Sequence, residues 1–157
     1  VSYCLNVLEK LIINLLKKVK EMYLTAVHHI AVIASDYDVS RRFYCHILGF
    51  ALLREIFREE RQSWKADLAL NGVYTIELFS FPQPPARLCY PEACGLRHLA
   101  FSVENIARMI AHLHEHDIVC QPIRVDPYTH RRFTFFSDPD GLPIELYEDG
   151  IEVECSA

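Results

Sequence analysis

The sequence lacks an excess of basic residues. Its 157 residues include 16 Lys and Arg against 21 Asp and Glu, which gives a net charge of −5 at pH 7. Domains that bind nucleic acid usually present a basic patch, and this composition offers none. The chain also contains no RNP-like segment, no Walker A loop and no paired CxxC element. The sequence therefore gives no support to an RNA-binding, P-loop or paired-cysteine site, and we expect no nucleic-acid partner.

Regular cysteine spacing is also missing. The six cysteines follow no framework pattern, and the chain is longer than a miniprotein that depends on disulfides. Cysteines without a framework spacing in a chain of this length are most simply interpreted as reduced thiols, which are typical of the cytosol. We therefore expect a cytoplasmic protein.

No apolar run is long enough to span a bilayer. Residues 1–22 have apolar side chains at helical spacing, but the stretch is short and interrupted. Its lysines follow the apolar positions, which is the reverse of a secretory signal. We interpret residues 1–22 as an N-terminal appendage, helical or not native. The alternative is an amphipathic arm that packs on a partner or a membrane surface. For the rest of the chain we expect no membrane association.

What the sequence does contain is an internal repeat. Residues 29–32 (HIAV) correspond to residues 98–101 (HLAF), and residues 76–79 (IELF) correspond to residues 144–147 (IELY). The period is about 69 residues, which indicates two copies of one structural unit. With 51% hydrophobic residues, the chain has enough apolar side chains for one compact domain built from both copies.

The repeat predicts an α+β fold of two tandem βαβββ modules in a single domain, residues 23–150. Module one covers residues 23–82, a proline-rich linker covers 83–95, module two covers 96–150, and 151–157 form a tail. In module one we predict strands at 27–34, 50–57, 64–70 and 73–80 and a helix at 37–48. In module two we predict strands at 97–103, 118–124, 132–137 and 142–148 and a helix at 105–115. Residues 71–72 (NG) are a strong hairpin signal, and 138–141 (DPDG) occupy the equivalent turn.

Each repeat unit places one His and one Glu in a short apolar strand. A carboxylate between Ile and Leu is costly to bury unless a cation or hydrogen bonds compensate it. Each residue alone is also typical of a core histidine or a half-exposed strand position. Their matched positions favour a mononuclear site for a divalent metal, with the ligands His29, Glu77, His98 and Glu145. Imidazole and carboxylate donors suit Zn, Ni, Co, Mn or Fe(II), and two octahedral positions stay open for water or substrate.

From residue 24 to residue 149 the chain resembles the vicinal oxygen chelate superfamily, the glyoxalase/bleomycin resistance/dioxygenase group. The resemblance rests on His29 at the first strand, on residues 43–44 (FY) and 48–49 (LG), on His98, and above all on residues 138–146 (DPDGLPIEL). It implies paired βαβββ modules that form a U-shaped sheet around one metal, often at a dimer interface. A homodimer is therefore expected.

The four candidate ligands resemble the glyoxalase I (lactoylglutathione lyase-like) set. The resemblance implies a lyase or isomerase that acts on the methylglyoxal–glutathione hemithioacetal, with Ni or Co favoured and Zn or Mn as alternatives. Glu145 would transfer the proton. Two positions depart from the glutathione-binding pattern: Ile33 stands where an Arg is common, and Phe81 stands where an Asn is common.

These departures leave other functions open. The same metal centre could serve a different small molecule, as an epimerase or isomerase, or the protein could be a ligand-binding module without enzymatic activity. Other side chains could offer anchors for the substrate. The candidates are Arg97, Arg131, Arg132, Tyr128 and Trp64, each of which is equally typical of surface charge or core packing.

Overall fold

The computed structural model describes residues 24–149. The proposed appendage and tail therefore lie outside the described residues. Module one consists of strand β1 (Ile30–Ala34), helix α1 (Tyr37–Arg42), a π-helical segment (Phe43–Ile47), strand β2 (Ala51–Arg58), a 3₁₀ turn (Glu59–Arg61), strand β3 (Ser63–Leu70) and strand β4 (Val73–Ser80). Module two consists of strand β5 (Leu99–Val103), helix α2 (Ile106–His114), and strands β6 (Arg124–Val125), β7 (Arg132–Ser137) and β8 (Pro143–Glu148).

Capping residues and turn residues explain where the two helices begin and where β3 connects to β4. The Asp36 carboxylate accepts a hydrogen bond from the Val39 N–H and caps α1, and Asn105 caps α2 in the same way through the Arg108 N–H. Asn71 and Gly72 have φ values of 49° and 78°. Two consecutive positive φ angles are those of a type I′ hairpin turn, so the predicted hairpin is confirmed.

The two modules have the same topology. Each forms a four-stranded sheet, with strand order β1-β4-β3-β2 in module one and β5-β8-β7-β6 in module two. The first strand of each module runs parallel to the last, and the remaining pairs are antiparallel. Ala31 lies opposite Glu77, and Ala100 lies opposite Glu145. The predicted α+β architecture of two βαβββ-like modules is therefore confirmed.

The bounds of four predicted elements differ clearly from those in the structure. β1 begins at Ile30 and β5 at Leu99, so the candidate ligand histidines directly precede their strands. The strand predicted at 118–124 is wrong over most of its length, because only Arg124 and Val125 pair with β7. The first helix changes to π-helical hydrogen bonding at Phe43 and does not continue as one α-helix to residue 48.

A single core joins the two modules. Each sheet turns alternate side chains inward, as Ile76 and Leu78 show in β4, and the helices pack against these faces. Across the modules, the ring centres of Phe43 and Phe136 are 6.3 Å apart. The helical side of each module is therefore covered by the other, and residues 24–149 leave the second face of each sheet open.

Buried polar contacts reinforce this junction. The Tyr44 hydroxyl donates to Asp138 Oδ2 over 2.8 Å, and both residues are buried. Asp138 Oδ1 accepts from the N–H groups of Asp140 and Leu142, so the same carboxylate orders the turn before β8. Burial raises the pKa of Asp138, against the lowering effect of these hydrogen bonds. The turn that precedes Glu145 is thereby tied to the helix of module one.

We predict that Tyr44→Phe lowers the free energy of unfolding by about 2 kcal/mol, because it removes one buried hydrogen bond to a carboxyl group. Urea unfolding measured by circular dichroism tests this. Tyr128→Phe is the matched control, since the Tyr128 side chain is 91% exposed. Equal stability of the two variants would contradict the role of this contact.

Candidate metal centre

The candidate ligands lie on the open faces of the two sheets. Glu77 alternates with the buried Ile76 and Leu78, so its side chain points away from the core. Glu145 occupies the same position between Ile144 and Leu146. Because the helices cover only the opposite faces, both carboxylates can be reached from outside the core.

In module one, His29 and Glu77 form a close pair. His29 Nε2 is 3.2 Å from Glu77 Oε2. The other oxygen, Oε1, contacts the ammonium group of Lys65. The opposite side of the His29 ring stacks on Tyr74, with ring centres 5.2 Å apart. The pair is thus held by a cation on one side and an aromatic ring on the other.

A network of charges surrounds this first pair. Asp67, which lies opposite Glu77 on β3, accepts from Arg54 Nη2 at 2.6 Å and from the Tyr74 hydroxyl at 3.1 Å. Burial alone would raise the pKa of Glu77, but the hydrogen bond and charge of Lys65 and the neighbouring His29 outweigh it and lower that pKa. Glu77 is therefore held as a carboxylate.

Module two contains an equivalent pair in a different environment. His98 Nε2 is 3.0 Å from Glu145 Oε2. The His98 ring lies edge to face with Phe135, at a centre distance of 5.3 Å. His98 Nδ1 is buried and has no hydrogen-bond partner among residues 24–149. Only the Nε2 side of this imidazole is engaged.

The two pairs differ in what lies opposite the glutamate. Asp67 and Lys65 of β3 share the open face with Glu77, whereas Phe135 and Phe133 hold the equivalent places beside Glu145. Within the described part of the chain, the only ion pair of Glu145 is the one with His98. Glu77 is therefore fixed by a cation, and Glu145 is surrounded mainly by aromatic rings.

The four predicted ligands do not meet within one chain. Among residues 24–149, no group of three or more His, Cys, Asp or Glu side chains is placed to hold a metal ion. The two His–Glu pairs lie on separate sheets. The structure brings the His and the Glu of each repeat together, and the union of all four in one metal site stays a prediction.

The candidate substrate residues lie in different places. Arg97 lines the same cavity as His98. Arg132 makes two hydrogen bonds to Glu148, of 2.6 and 2.7 Å, and so already has an anionic partner. Trp64 stacks on Tyr37 at 5.3 Å in module one. The exposed Tyr128 and the half-buried Arg131 are not among the residues that line this cavity.

Sequence analysis missed Lys65, Asp67 and Tyr74 in module one and Arg124 in module two. An ideal two-residue hairpin at 71–72 would place Ala66 opposite Glu77. The register shifts between Leu68 and Ala69 and brings Asp67 there instead. The one sequence signal for these residues is the alternation of charged and apolar side chains in 64–68 (WKADL), which places Lys65 and Asp67 on the same face of β3.

No helix among residues 24–149 has the length and apolar character needed to cross a membrane.

Comparisons with known proteins extend these observations. A family model described as the Glyoxalase/Bleomycin resistance protein/Dioxygenase superfamily matches residues 26–146. The chain is 68% identical over 125 residues to the uncharacterized protein YaeR of Escherichia coli (strain K12), covering 80% of this chain and 97% of YaeR.

Solved structures are similar over the same region. A glyoxalase family protein from Enterococcus faecalis has a TM-score of 0.75 and 49% identity, with 81% of this chain and 100% of that chain covered. The trypanothione-dependent glyoxalase I of Leishmania major has a TM-score of 0.62 and 26% identity, with 80% and 87% covered.

We predict that Lys65→Met raises the pKa of Glu77, because burial then acts without the opposing cation. Carboxyl carbon chemical shifts followed through a pH titration measure this pKa. Arg54→Met is the matched control: it removes a cation that contacts Asp67 and should change the pKa of Asp67 more than that of Glu77. An unchanged pKa of Glu77 in Lys65→Met would show that Lys65 does not hold this carboxylate.

Proposed function

The chain belongs to the Glyoxalase/Bleomycin resistance protein/Dioxygenase superfamily, and on that premise we propose that it is a metal-dependent lyase or isomerase of the glyoxalase I type. It transfers a proton between neighbouring carbons of a small substrate with two vicinal oxygens, such as the methylglyoxal–glutathione hemithioacetal. The observation that carries this proposal is the pair of His–Glu contacts, one on the open face of each sheet, at 3.2 and 3.0 Å.

The donor atoms of each pair fit a divalent metal. Metal–nitrogen and metal–oxygen bonds of about 2.0 to 2.2 Å that meet at about a right angle place two donors roughly 3 Å apart. The His Nε2 and Glu Oε2 atoms of both pairs have this spacing. The ligands would be His29, Glu77, His98 and Glu145, with Ni or Co favoured and Zn or Mn as alternatives. A cation held there supplies Lewis acidity, which stabilises negative charge on substrate oxygens.

A homodimer would bring the two pairs together. Each pair contributes two ligands, and the open sheet face around it has no cover within residues 24–149 of one chain. Strand β2 supports an assembly with a second copy, because Leu53 and Ile56 on this edge strand are 56% and 52% exposed. Exposed apolar residues on a sheet edge are typical of an interface. We therefore propose that module one of one copy faces module two of another.

The environments of the two glutamates support different roles for them. Lys65 holds Glu77 as a fixed anion, which suits a permanent ligand. Glu145 contacts only the imidazole of His98 among the charged side chains described, so it can rotate away and accept a proton from substrate carbon. Phe135 lies opposite Glu145 on the neighbouring strand, where Glu77 has the charged Asp67. Glu145 is therefore the candidate general base, in agreement with the role that the family resemblance implies.

A second candidate function is the same chemistry on a substrate without glutathione. Ile33 is 53% exposed and Phe81 stacks on Phe79 at 6.0 Å, so two places that could anchor a peptide carboxylate present apolar side chains. The Leishmania major relative is trypanothione-dependent, which is consistent with different thiol carriers in this fold. Turnover without any added thiol would favour this epimerase or isomerase activity.

We predict that His29→Ala and His98→Ala each reduce metal binding, and that a mixed dimer of the two variants regains it. In a mixed dimer, one interface combines both intact pairs and the other combines both damaged pairs. Isothermal titration with Ni²⁺ after unfolding and refolding the two variants together measures the recovery. If the mixture binds no better than the separate variants, the metal site is not shared between copies.

We also predict that Glu145→Gln retains metal but lowers turnover by about 10²- to 10⁴-fold, because the general base is lost. The assay follows thioester absorbance with the methylglyoxal–glutathione hemithioacetal and metal-loaded protein. Glu77→Gln serves as the comparison and should chiefly weaken metal affinity. Full turnover by Glu145→Gln would refute its role, and tight ligand binding by metal-free protein without turnover of any substrate would favour the non-enzymatic alternative.

A further inference from the structure

A cavity of about 290 Å³ lies beside the second His–Glu pair. Residues 87–97, which connect the two modules, form one wall of this cavity. Strands β7 and β8 and residues 121–124 form the other side. His98 lines it, so the cavity reaches the candidate metal ligand directly.

Three guanidinium groups line this cavity and give it a positive charge: those of Arg87, Arg97 and Arg124. Glu92 is the single acidic residue of the lining. Arg87 donates to the carbonyl oxygens of Leu96 and Arg97, so it serves to hold the wall. Arg97 and Arg124 are therefore the cations that are available to a ligand.

Arg124 has the more defined position of the two. Its guanidinium carbon lies 4.8 Å from the centre of the Phe133 ring and 5.2 Å from that of Phe135. The side chain makes one weak hydrogen bond, from Nη2 to Gln121 Oε1 at 3.4 Å. Two aromatic rings thus fix the plane of a guanidinium group that keeps most of its donors free.

The absence of an acidic partner distinguishes Arg124 from Arg54 and Arg132, and unlike Arg58, which also lies over two Phe rings, Arg124 lines the cavity beside His98. Arg54 pairs with Asp67, and Arg132 pairs with Glu148. No ion pair of Arg124 with an Asp or Glu occurs in the 24–149 region. A guanidinium group fixed on aromatic rings without a carboxylate is suited to a planar anion from outside the protein.

Phe135 connects this cation to the proposed metal centre. Its ring contacts the Arg124 guanidinium on one side and the His98 imidazole on the other. Phe135 also lies opposite Glu145 in the sheet. Arg124 and His98 both line the cavity, so a small molecule in it can contact Arg124 with one end and, with the other, the imidazole that pairs with Glu145.

We propose that the substrate carries an anionic group, a carboxylate or a phosphate, which Arg124 binds while the vicinal oxygens lie at the His98–Glu145 pair. The inference rests on the proposed function and narrows its substrate to small acidic α-hydroxycarbonyl compounds. This anion site lies at Arg124. It is distinct from positions 33 and 81, where Ile33 and Phe81 stand in place of the Arg and Asn of the glutathione-binding pattern.

The test compares three probes that share an α-hydroxycarbonyl group and differ in charge: hydroxypyruvate, dihydroxyacetone phosphate and neutral dihydroxyacetone. Binding to metal-free protein is followed by NMR chemical-shift titration at low and high salt. We expect the two anions to bind about tenfold or more tightly than dihydroxyacetone, with an affinity that falls as salt rises. Preference for hydroxypyruvate would identify a carboxylate site, and preference for dihydroxyacetone phosphate would identify a phosphate site.

Arg124→Gln should remove this preference, and Arg124→Lys should restore it only in part, because Lys lacks the planar pair of donors. Arg108→Gln is the matched control: Arg108 is exposed on α2, where its side chain forms no ion pair within residues 24–149. Equal binding of all three probes, or unchanged binding in Arg124→Gln, would overturn the inference.

A parallel Ni²⁺ titration of the same samples separates the two proposals. Metal binding without a preference for anions would leave the proposed function standing and reject the role of Arg124. A preference for anions that depends on Arg124, in protein that binds no metal, would support the anion site and reject the metal-dependent function.

Discussion

The hydrogen bond from the buried Tyr44 hydroxyl to the Asp138 carboxyl group lies at the packed junction of the two modules, and the rest of the structure depends on that junction. This hydrogen bond joins the helix of module one to the turn that introduces β8. With the helical sides of both modules packed together in one core, residues 24–149 include no further helix or strand to cover the second face of either sheet. Those two open faces are where the His–Glu pairs lie. The stability of the junction and the accessibility of the candidate metal ligands therefore have the same structural origin.

The two modules repeat their backbone but not their electrostatics. In module one, Lys65 and Asp67 surround the carboxylate of Glu77 with charge. In module two, Phe133 and Phe135 occupy the corresponding places, and the Arg124 guanidinium group lies over both rings. Duplication of a metal-binding half followed by divergence of its neighbours would account for this difference. In the proposed function, this difference would let Glu77 serve as a fixed ligand while Glu145 accepts the proton.

The sequence predicted the βαβββ order and the hairpin at 71–72, because both depend on local periodicity and on the repeat. The repeat also singled out the His and the Glu that the structure places in contact in each module. The sequence did not predict that Asp67 lies opposite Glu77, since a bulge near Leu68 shifts the register by one residue. The strand expected at 118–124 has the composition of a strand but shortens to Arg124 and Val125. The sequence also could not predict that the two His–Glu pairs lie apart within one chain. The spacing of a repeat does not show whether the two sheet faces of one chain are turned towards each other.

Strand β2 is the last strand of its sheet, so the backbone N–H and C=O groups along its outer edge have no strand beside them within residues 24–149. Such an edge exchanges its amide hydrogens more readily than the central strand β4 and is a template for pairing with unrelated chains. The sequence of β2 limits this hazard, because Arg54, Glu55 and Arg58 interrupt its apolar residues. Charges at these positions disfavour random edge-to-edge association in a crowded cell, while the apolar residues between them remain available to a matching surface.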